Sequence, residues 1–289
     1  MFTGTSSDPS PTYSATGTEH DPAMKKVINQ FVITLAVFLL IWFLAGRIPF
    51  TRLIDFKAIS RAGEEKLGNL SLDLLRKTDR PVISDSVVYY LDSIRDRICK
   101  ANGIDPAGIH IYPFFSTEVN AFTLPGGNIV IYSGLIGYCN NGEELAAVMA
   151  HEIGHIEHRH VMKKLSKEMG ISVLLAVTAG GTGAEFARNI LKTLSSTAFD
   201  RKMEKEADST AVRYLARADI HPRHFADLLF RFSKDDKDLP GSLEWISTHP
   251  ESRGRAVTVL ALSKNLVVKD VPVLSSAEWT QMQRILRTY

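Results

Sequence analysis

Cysteine is nearly absent from this 289-residue chain, which holds only Cys99 and Cys139. Two thiols exclude a disulfide scaffold and a multi-cysteine zinc ribbon, and they leave the redox compartment open. Net charge is nearly absent too. The formal balance is +2, and Lys and Arg are scattered with no aromatic side chains interleaved, so no nucleic-acid surface is expected. No internal repeat is visible. What remains is 45% hydrophobic and 23% charged, the composition of a folded protein with a sizeable core.

The first 23 residues lack anything to bury. Fourteen of them are Ser, Thr, Gly or Pro, so a disordered tail is expected over residues 1–23. Charge then vanishes from Val27 to Gly46, 20 residues dense in Phe, Leu, Ile and Val. As a helix that run reaches about 30 Å, the hydrocarbon thickness of a bilayer. Trp42 and Phe43 sit near one end, where an aromatic belt belongs. No Ala-x-Ala site follows, and Leu44-Ala45-Gly46 is succeeded by Arg47 rather than Cys, so neither signal cleavage nor lipidation is expected. The expectation is a retained single-pass anchor over residues 24–48, with the lipid bilayer as partner through residues 27–46. Its flanking charges, Lys25 and Lys26 against Arg47, Arg52, Lys57 and Arg61, lean towards a cytoplasmic C-terminal part.

Residues 49–84 read as a helical linker. Ser84-Asp85-Ser86 can cap an amphipathic segment carrying Val87, Val88, Leu91, Ile94 and Ile98. His110-Ile111-Tyr112 and Asn128 to Tyr132 read as short strands, with the Pro125-Gly126-Gly127 turn before the second. As an edge strand, the latter would pair with an extended substrate, which makes Asn128, Ile129, Val130 and Ile131 candidate substrate-binding residues. Asn141, three residues ahead of Glu144, opens a long helix. Gly170 to Ala184 reads as a helix end and loop, Thr193 to Ala218 as a further helix, and a shorter helix begins near Ser276.

The chemistry lies in His151-Glu152-Ile153-Gly154-His155. Residues four apart share a helical face, so His151 and His155 can present two imidazoles to one metal ion. Glu152 points to the neighbouring side, where it can reach a water at an open coordination position. A second acidic element follows in Glu204-Lys205-Glu206-Ala207-Asp208. Glu204 and Asp208 share a face, while Glu206 lies about 200° around the axis from Glu204. One carboxylate can be a third ligand, and another can fix the tautomer of a ligand imidazole. Taken without the upstream motif, a solvated charged face would explain the same residues. His158 lies one turn beyond His155 and is expected not to be a ligand, because a catalytic zinc keeps its fourth place for water.

Asn120-Ala121-Phe122 with Pro125-Gly126-Gly127, the His151–His155 motif, Glu204-x-x-x-Asp208 and Thr248-His249-Pro250 with Arg255 occur in register. In these motifs the chain resembles the HtpX, BepA and CAAX-prenyl-protease superfamily of gluzincins, particularly its single-anchor bacterial members. The resemblance implies one Zn2+ per chain on His151, His155 and Glu204, with Glu152 as general base and Asp208 behind the ligands. It adds Asn120 to the candidate substrate-binding residues. The family's usual Ser-Arg before the third-ligand helix is Asp200-Arg201 here, so no role passes to residue 200. The expected architecture is α+β, a mainly helical zincin-like metallopeptidase domain over residues 85–265 with a small β-sheet, preceded by one transmembrane helix. Residues 266–289 would form a C-terminal extension.

The function so implied is a membrane-anchored zinc endopeptidase acting on unfolded or misassembled polypeptides. Its place would be the bacterial cytoplasmic membrane, with the catalytic domain on the extracytoplasmic side. The alternative is a membrane-tethered chaperone or assembly factor that keeps the zinc site without cutting. Arg201, His249 and Arg255 are candidates for stabilising the oxyanion. His249, on a Pro-bearing loop, can instead fill the open metal position and hold the enzyme latent.

Overall fold

The Asn128–Tyr132 strand lies at the centre of the observed sheet, and its position decides how the rest is arranged. In the computed structural model the described residues are 22–47, 61–170, 184–238, 243–250 and 252–289. The tail and loop expected at residues 1–23 and Gly170–Ala184 therefore fall outside them, except at their ends. The chain divides into two compact units, Met1–Ile54 and Asp55–Tyr289.

Among its described residues the first unit holds the helix α1 (Pro22–Arg47). It exposes apolar side chains, among them Phe31, Ile33, Phe38 and Leu40. Among the described residues no helix is long and apolar enough to cross a membrane.

In the second unit, α2 (Arg61–Thr78) leads through β1 (Arg80–Pro81) to α3 (Asp85–Ala101). Ser84 caps α3 by accepting from the Val87 amide. Strands β2 (His110–Phe115), β3 (Ala121–Leu124) and β4 (Asn128–Tyr132) complete a sheet of order β1-β2-β4-β3. β2 and β4 are parallel with Ile111 opposite Ile129, and β3 is antiparallel to β4 with Phe122 opposite Val130. Alternation sends Ile129 and Ile131 into one core and Val130 and Tyr132 into the other. A strand buried on both faces loses the polar–apolar alternation that marks an exposed sheet. β4 is thus an interior strand and not the expected edge. Both its flanks are taken by β2 and β3, so Asn128, Ile129, Val130 and Ile131 cannot pair with a substrate. Asn128 instead locks the preceding turn, its side-chain amide donating to the Pro125 carbonyl at 2.7 Å. Gly127 in that turn has φ 78°, and a Cβ there would lie 2.1 Å from the Gly108 carbonyl oxygen, so only glycine fits.

After α4 (Ser133–Tyr138) comes α5 (Gly142–Glu157), which carries the histidine motif. Asn141 caps it, accepting from the Glu144 amide at 2.9 Å. Every residue from Glu144 to His155 is buried, because α5 lies against the sheet on one side and helices on the other. The chain continues through α6 (His160–Met169), α7 (Ala184–Ser196), α8 (Arg201–Arg217) and α9 (Arg223–Asp238). The single helix expected over Thr193–Ala218 is two, broken before Asp200. That side chain accepts from the Met203 amide at 2.9 Å and starts α8 afresh. Short α10 (Glu244–Thr248), α11 (Ser252–Ser263) and α12 (Ser276–Arg287) complete the chain. Met282 and Leu286 of α12 join the larger core.

Candidate metal centre

The site forms where α5 and α8 approach unusually closely. A Cβ on Gly154 would meet the Ala207 backbone at 3.2 Å, so this pair of small residues lets the helix axes come together. Glu204, Ala207, Asp208 and Ala211 are all buried on α8 and form one stripe by helical spacing. Glu204 and Asp208 are thereby held over the motif of α5.

His151 Nε2 and His155 Nε2 lie 3.0 Å apart. Glu204 Oε1 is 3.4 Å from His155 Nε2, and Glu204 Oε2 is 3.8 Å from His151 Nε2. His249 Nδ1 closes the group, 3.2 Å from His151 Nε2 and 3.0 Å from Glu204 Oε1. One donor atom from each of these four residues falls within 4.8 Å of the others. Tetrahedral zinc with bonds near 2.05 Å separates its ligand atoms by about 3.3 Å, so this donor set fits the ion. The second imidazole nitrogen of His151, Nδ1, is 3.1 Å from Asp208 Oδ1, which sets the tautomer that leaves Nε2 for the metal.

Electrostatics prepare the same donors. Arg255 is clamped on Asp208 through Nε and Nη2 at 2.9 and 2.7 Å, and on Glu204 Oε2 through Nη1 at 2.6 Å. Burial works to raise the Glu204 carboxyl, but Arg255, then His249 and His155, hold it well below its ordinary value. Asp208, pushed up by burial, is brought down to about 2 by Arg255 and His151. Burial drives His155 well below its ordinary value, and it lowers His249 as well. Ionised carboxylates and neutral imidazoles are the forms that ligate a metal.

Glu152 faces this cluster from the sheet side. Its Oε2 accepts from the Thr123 hydroxyl of β3 at 2.8 Å, and its Oε1 has no hydrogen-bond partner. His249 Nε2 lies 3.4 Å from that free oxygen. The His249 ring is stacked on Trp245 at 4.5 Å between centroids and on Phe199 at 5.6 Å. His151, Glu152, His155 and His249 are all 0% exposed.

A profile of Peptidase family M48 matches residues 89–262, more than half of the chain. The chain belongs to peptidase family M48. Among curated M48-like relatives, the mitochondrial metalloendopeptidase OMA1 of Schizosaccharomyces pombe is 29% identical over 168 residues, covering 57% of this chain and 50% of that protein. OMA1 of Arabidopsis thaliana is 33% identical over 138 residues, covering 48% and 28%. The beta-barrel assembly-enhancing protease of Escherichia coli is 27% identical over 213 residues, covering 68% and 43%. The chain spans less than two thirds of the length of each.

Within the M48 region the structure gathers His151, His155, Glu204, Glu152, Asp208, His249 and Arg255 into one buried cluster. Arg201 is exposed at the start of α8 and borders the cluster, lining a cavity of about 310 Å³ together with Glu204, Asp208 and Arg255. Asn120 is buried beside β3, its backbone carbonyl accepting from the Tyr132 amide at 3.1 Å. Thr123 is not legible in the sequence, since a lone Thr before a Pro-Gly-Gly turn carries no signal of its own. His160 and Glu206 also meet here, at 3.1 Å. Burial lowers His160 to about 4. Cys99 and Cys139 are buried free thiols.

Proposed function

We propose that this chain is a zinc-dependent endopeptidase in which His151, His155 and Glu204 hold the ion and Glu152 is the general base. The carrying observation is the convergence of those three donors beside an unpartnered Glu152 Oε1. Zinc held there would supply Lewis acidity towards a water and a scissile carbonyl. Glu152 takes the proton of the attacking water at Oε1 and returns it to the leaving amine, while Thr123 fixes Oε2. Asp208 orients His151, and Arg255 holds both carboxylates in place; with its donors so engaged, it acts as a clamp and not as an oxyanion donor. Substrate adds to the outer edge of β3, since among the described residues no strand pairs there, and Thr123 carries that edge to the general base.

The described arrangement is a resting state. His249 stands between the metal donors and Glu152, where water and substrate carbonyl must enter. Movement of the α10–His249 segment opens the site. Polypeptides that are unfolded or misassembled suit an enzyme that reads backbone along a strand edge. The names of the relatives, a beta-barrel assembly-enhancing protease among them, agree with a role in protein quality control.

α1 anchors the enzyme as a single span of the bacterial cytoplasmic membrane, with the catalytic part on the extracytoplasmic side. What supports this is a 26-residue helix about 39 Å long whose sequence is uncharged from Val27 to Gly46. Carbonate-resistant sedimentation of the full chain, lost on deletion of residues 27–46, checks the anchor; an extractable full chain refutes it.

Metal analysis and casein cleavage by the full chain, Glu152→Gln and His249→Ala test the rest. Glu152→Gln should retain about one zinc and lose activity by at least 10³-fold, the order expected for a general base with its proton shuttle. His249→Ala should cleave faster than the natural protein. Zinc binding without Glu152-dependent cleavage would leave the assembly-factor reading standing. Unchanged or lower activity in His249→Ala would sink the resting-state argument.

A further inference from the structure

Two metal ligands on one helix need two tautomer settings, and only one has a carboxylate beside its outer nitrogen. His151 has Asp208 at its Nδ1. His155 Nδ1 meets no carboxylate; it lies 3.1 Å from the Nδ1 of another imidazole, His160. The far nitrogen of His160, Nε2, is 3.1 Å from Glu206 Oε2. Glu206 is the carboxylate on the other side of α8 from Glu204, so the two acids on that helix reach opposite ends of the same chain of rings.

The proton count along this chain has one solution when His155 offers Nε2 to a metal. A neutral imidazole with Nε2 as donor to the ion carries its hydrogen on Nδ1. His155 Nδ1–H must then donate to His160 Nδ1, which makes that nitrogen an acceptor. A neutral His160 accepting at Nδ1 carries its hydrogen on Nε2, and the partner waiting there is the Glu206 carboxylate. The reverse arrangement would put two N–H groups nose to nose at 3.1 Å.

The backbone is bent to make this contact. α5 ends at Glu157, and Arg159 adopts φ 53° and ψ 34°, the left-handed region that an L residue with a side chain seldom adopts. The turn brings His160, at the head of α6, back over His155, and His160 is 0% exposed. His158, on the near side of the bend, goes elsewhere: its Nε2 is 2.9 Å from the Thr210 hydroxyl.

We infer that His160 and Glu206 are positioning residues for the metal ligand His155, a relay that fixes its tautomer and passes the Glu206 charge to it. The inference rests on the zinc-peptidase reading above and deepens it. It also settles a competing possibility. His158, His160 and Glu206 bring donor atoms within 4.8 Å of one another, a group that could itself hold a cation. With the first metal in place, however, His160 Nε2 carries a proton and points at Glu206, so it has no lone pair to give. The relay and a second ion exclude each other.

The test is a zinc titration of the solubilised full chain against a chromophoric chelator, with the natural protein, Glu206→Gln, His160→Phe and His158→Ala. One zinc per chain is expected, with Kd weakened about 10–100-fold in Glu206→Gln and His160→Phe, the range for outer partners of metal-bound histidines, and unchanged in His158→Ala. Glu206 is part-exposed, so Glu206→Gln should fold even if His160→Phe does not. Histidine-selective 15N correlation spectra of the zinc-loaded protein should place the His155 hydrogen on Nδ1 and the His160 hydrogen on Nε2. Unchanged Kd in Glu206→Gln, or a His160 hydrogen on Nδ1, would overturn the relay. A second zinc lost together in His158→Ala and Glu206→Gln would overturn it in favour of the second site. Absence of any zinc in the natural protein would overturn both the relay and the zinc-peptidase reading.

Discussion

Arg255→Ala is the substitution whose consequence can be worked furthest from the structure. Arg255 is buried and spans Asp208, Glu204 Oε2 and the His249 carbonyl, the last at 3.1 Å from Nη1. Removing it leaves two buried carboxylates without their cation, and loss of one partner of a buried pair costs about 3–5 kcal/mol. The Asp208 carboxyl gives a second route to the same magnitude. Its folded value of about 2 against an ordinary 3.8 corresponds to about 2 kcal/mol of stability at pH 7, with Glu204 adding in the same direction. A depressed carboxylate stabilises above its unfolded pKa and loses that contribution as pH falls through its folded one. For the metal-free natural protein the Asp208 contribution is therefore complete above about pH 4 and fades towards pH 2. Without Arg255, burial is the largest influence left on both acids and raises them. The folded variant then takes up protons between pH 7 and 4, and its deficit shrinks. Urea denaturation with a chelator present should show a loss of about 4 kcal/mol at pH 7 and a clearly smaller one at pH 4. A deficit below about 1 kcal/mol, or one constant over that interval, would refute the account of Arg255 as the clamp of the site.

Thr123→Val keeps the shape of the side chain and deletes the donor to Glu152 Oε2. A hydrogen bond to a charged group is worth about 1.5–3 kcal/mol, so kcat/KM should fall about 10–100-fold with zinc content unchanged; natural kinetics would show that Thr123 does not position the base. Lys164 is buried with its Nζ over the Phe199 ring at 4.1 Å, and burial brings it down to about 8 from 10.5. A lysine lowered in the fold weighs against stability at neutral pH, a penalty that fades as pH rises from 8 to 10.5. Lys164→Met should therefore be more stable by about 2 kcal/mol at pH 7, after the Thr197 carbonyl loses its donor, with the gain gone above pH 10; a less stable variant at pH 7 would contradict this.

The parts of the site legible in sequence are those whose geometry is local. Two histidines four apart on a helix must share a face, and so must Glu204 and Asp208, wherever the helices go. The 200° offset of Glu206 correctly separates it from Glu204, and Ser84 and Asn141 are each visible as caps. What failed is what depends on pairing. Asn128 to Tyr132 reads as a strand from composition, but whether it lies at an edge depends on Ala121–Leu124, four residues too short to register as a strand of its own. Helix arithmetic also stops at His158. The left-handed Arg159 resets the direction of the chain, so the approach of His160 to His155 follows from the bend and from no spacing in the sequence. Thr193–Ala218 looked continuous because its apolar spacing survives the break, while the break itself rests on one Asp200 side chain.

These particulars bear on when the site acquires its charge. A metal ion arriving at protonated ligands must displace protons, and its affinity then falls with pH. Here burial has already made His155 neutral, and Arg255 has already ionised Glu204 and Asp208. The desolvation of those carboxylates is met during folding by a guanidinium reached from α11, outside the ligand helices. The donor set consequently exists before the ion does, and His249, whose Nδ1 sits 3.2 Å from His151 Nε2, is the group that stands in the fourth position. On the resting-state proposal, opening the site displaces that one imidazole, while the three remaining donors, held by Asp208, Arg255 and the His160–Glu206 pair, stay where the fold has put them.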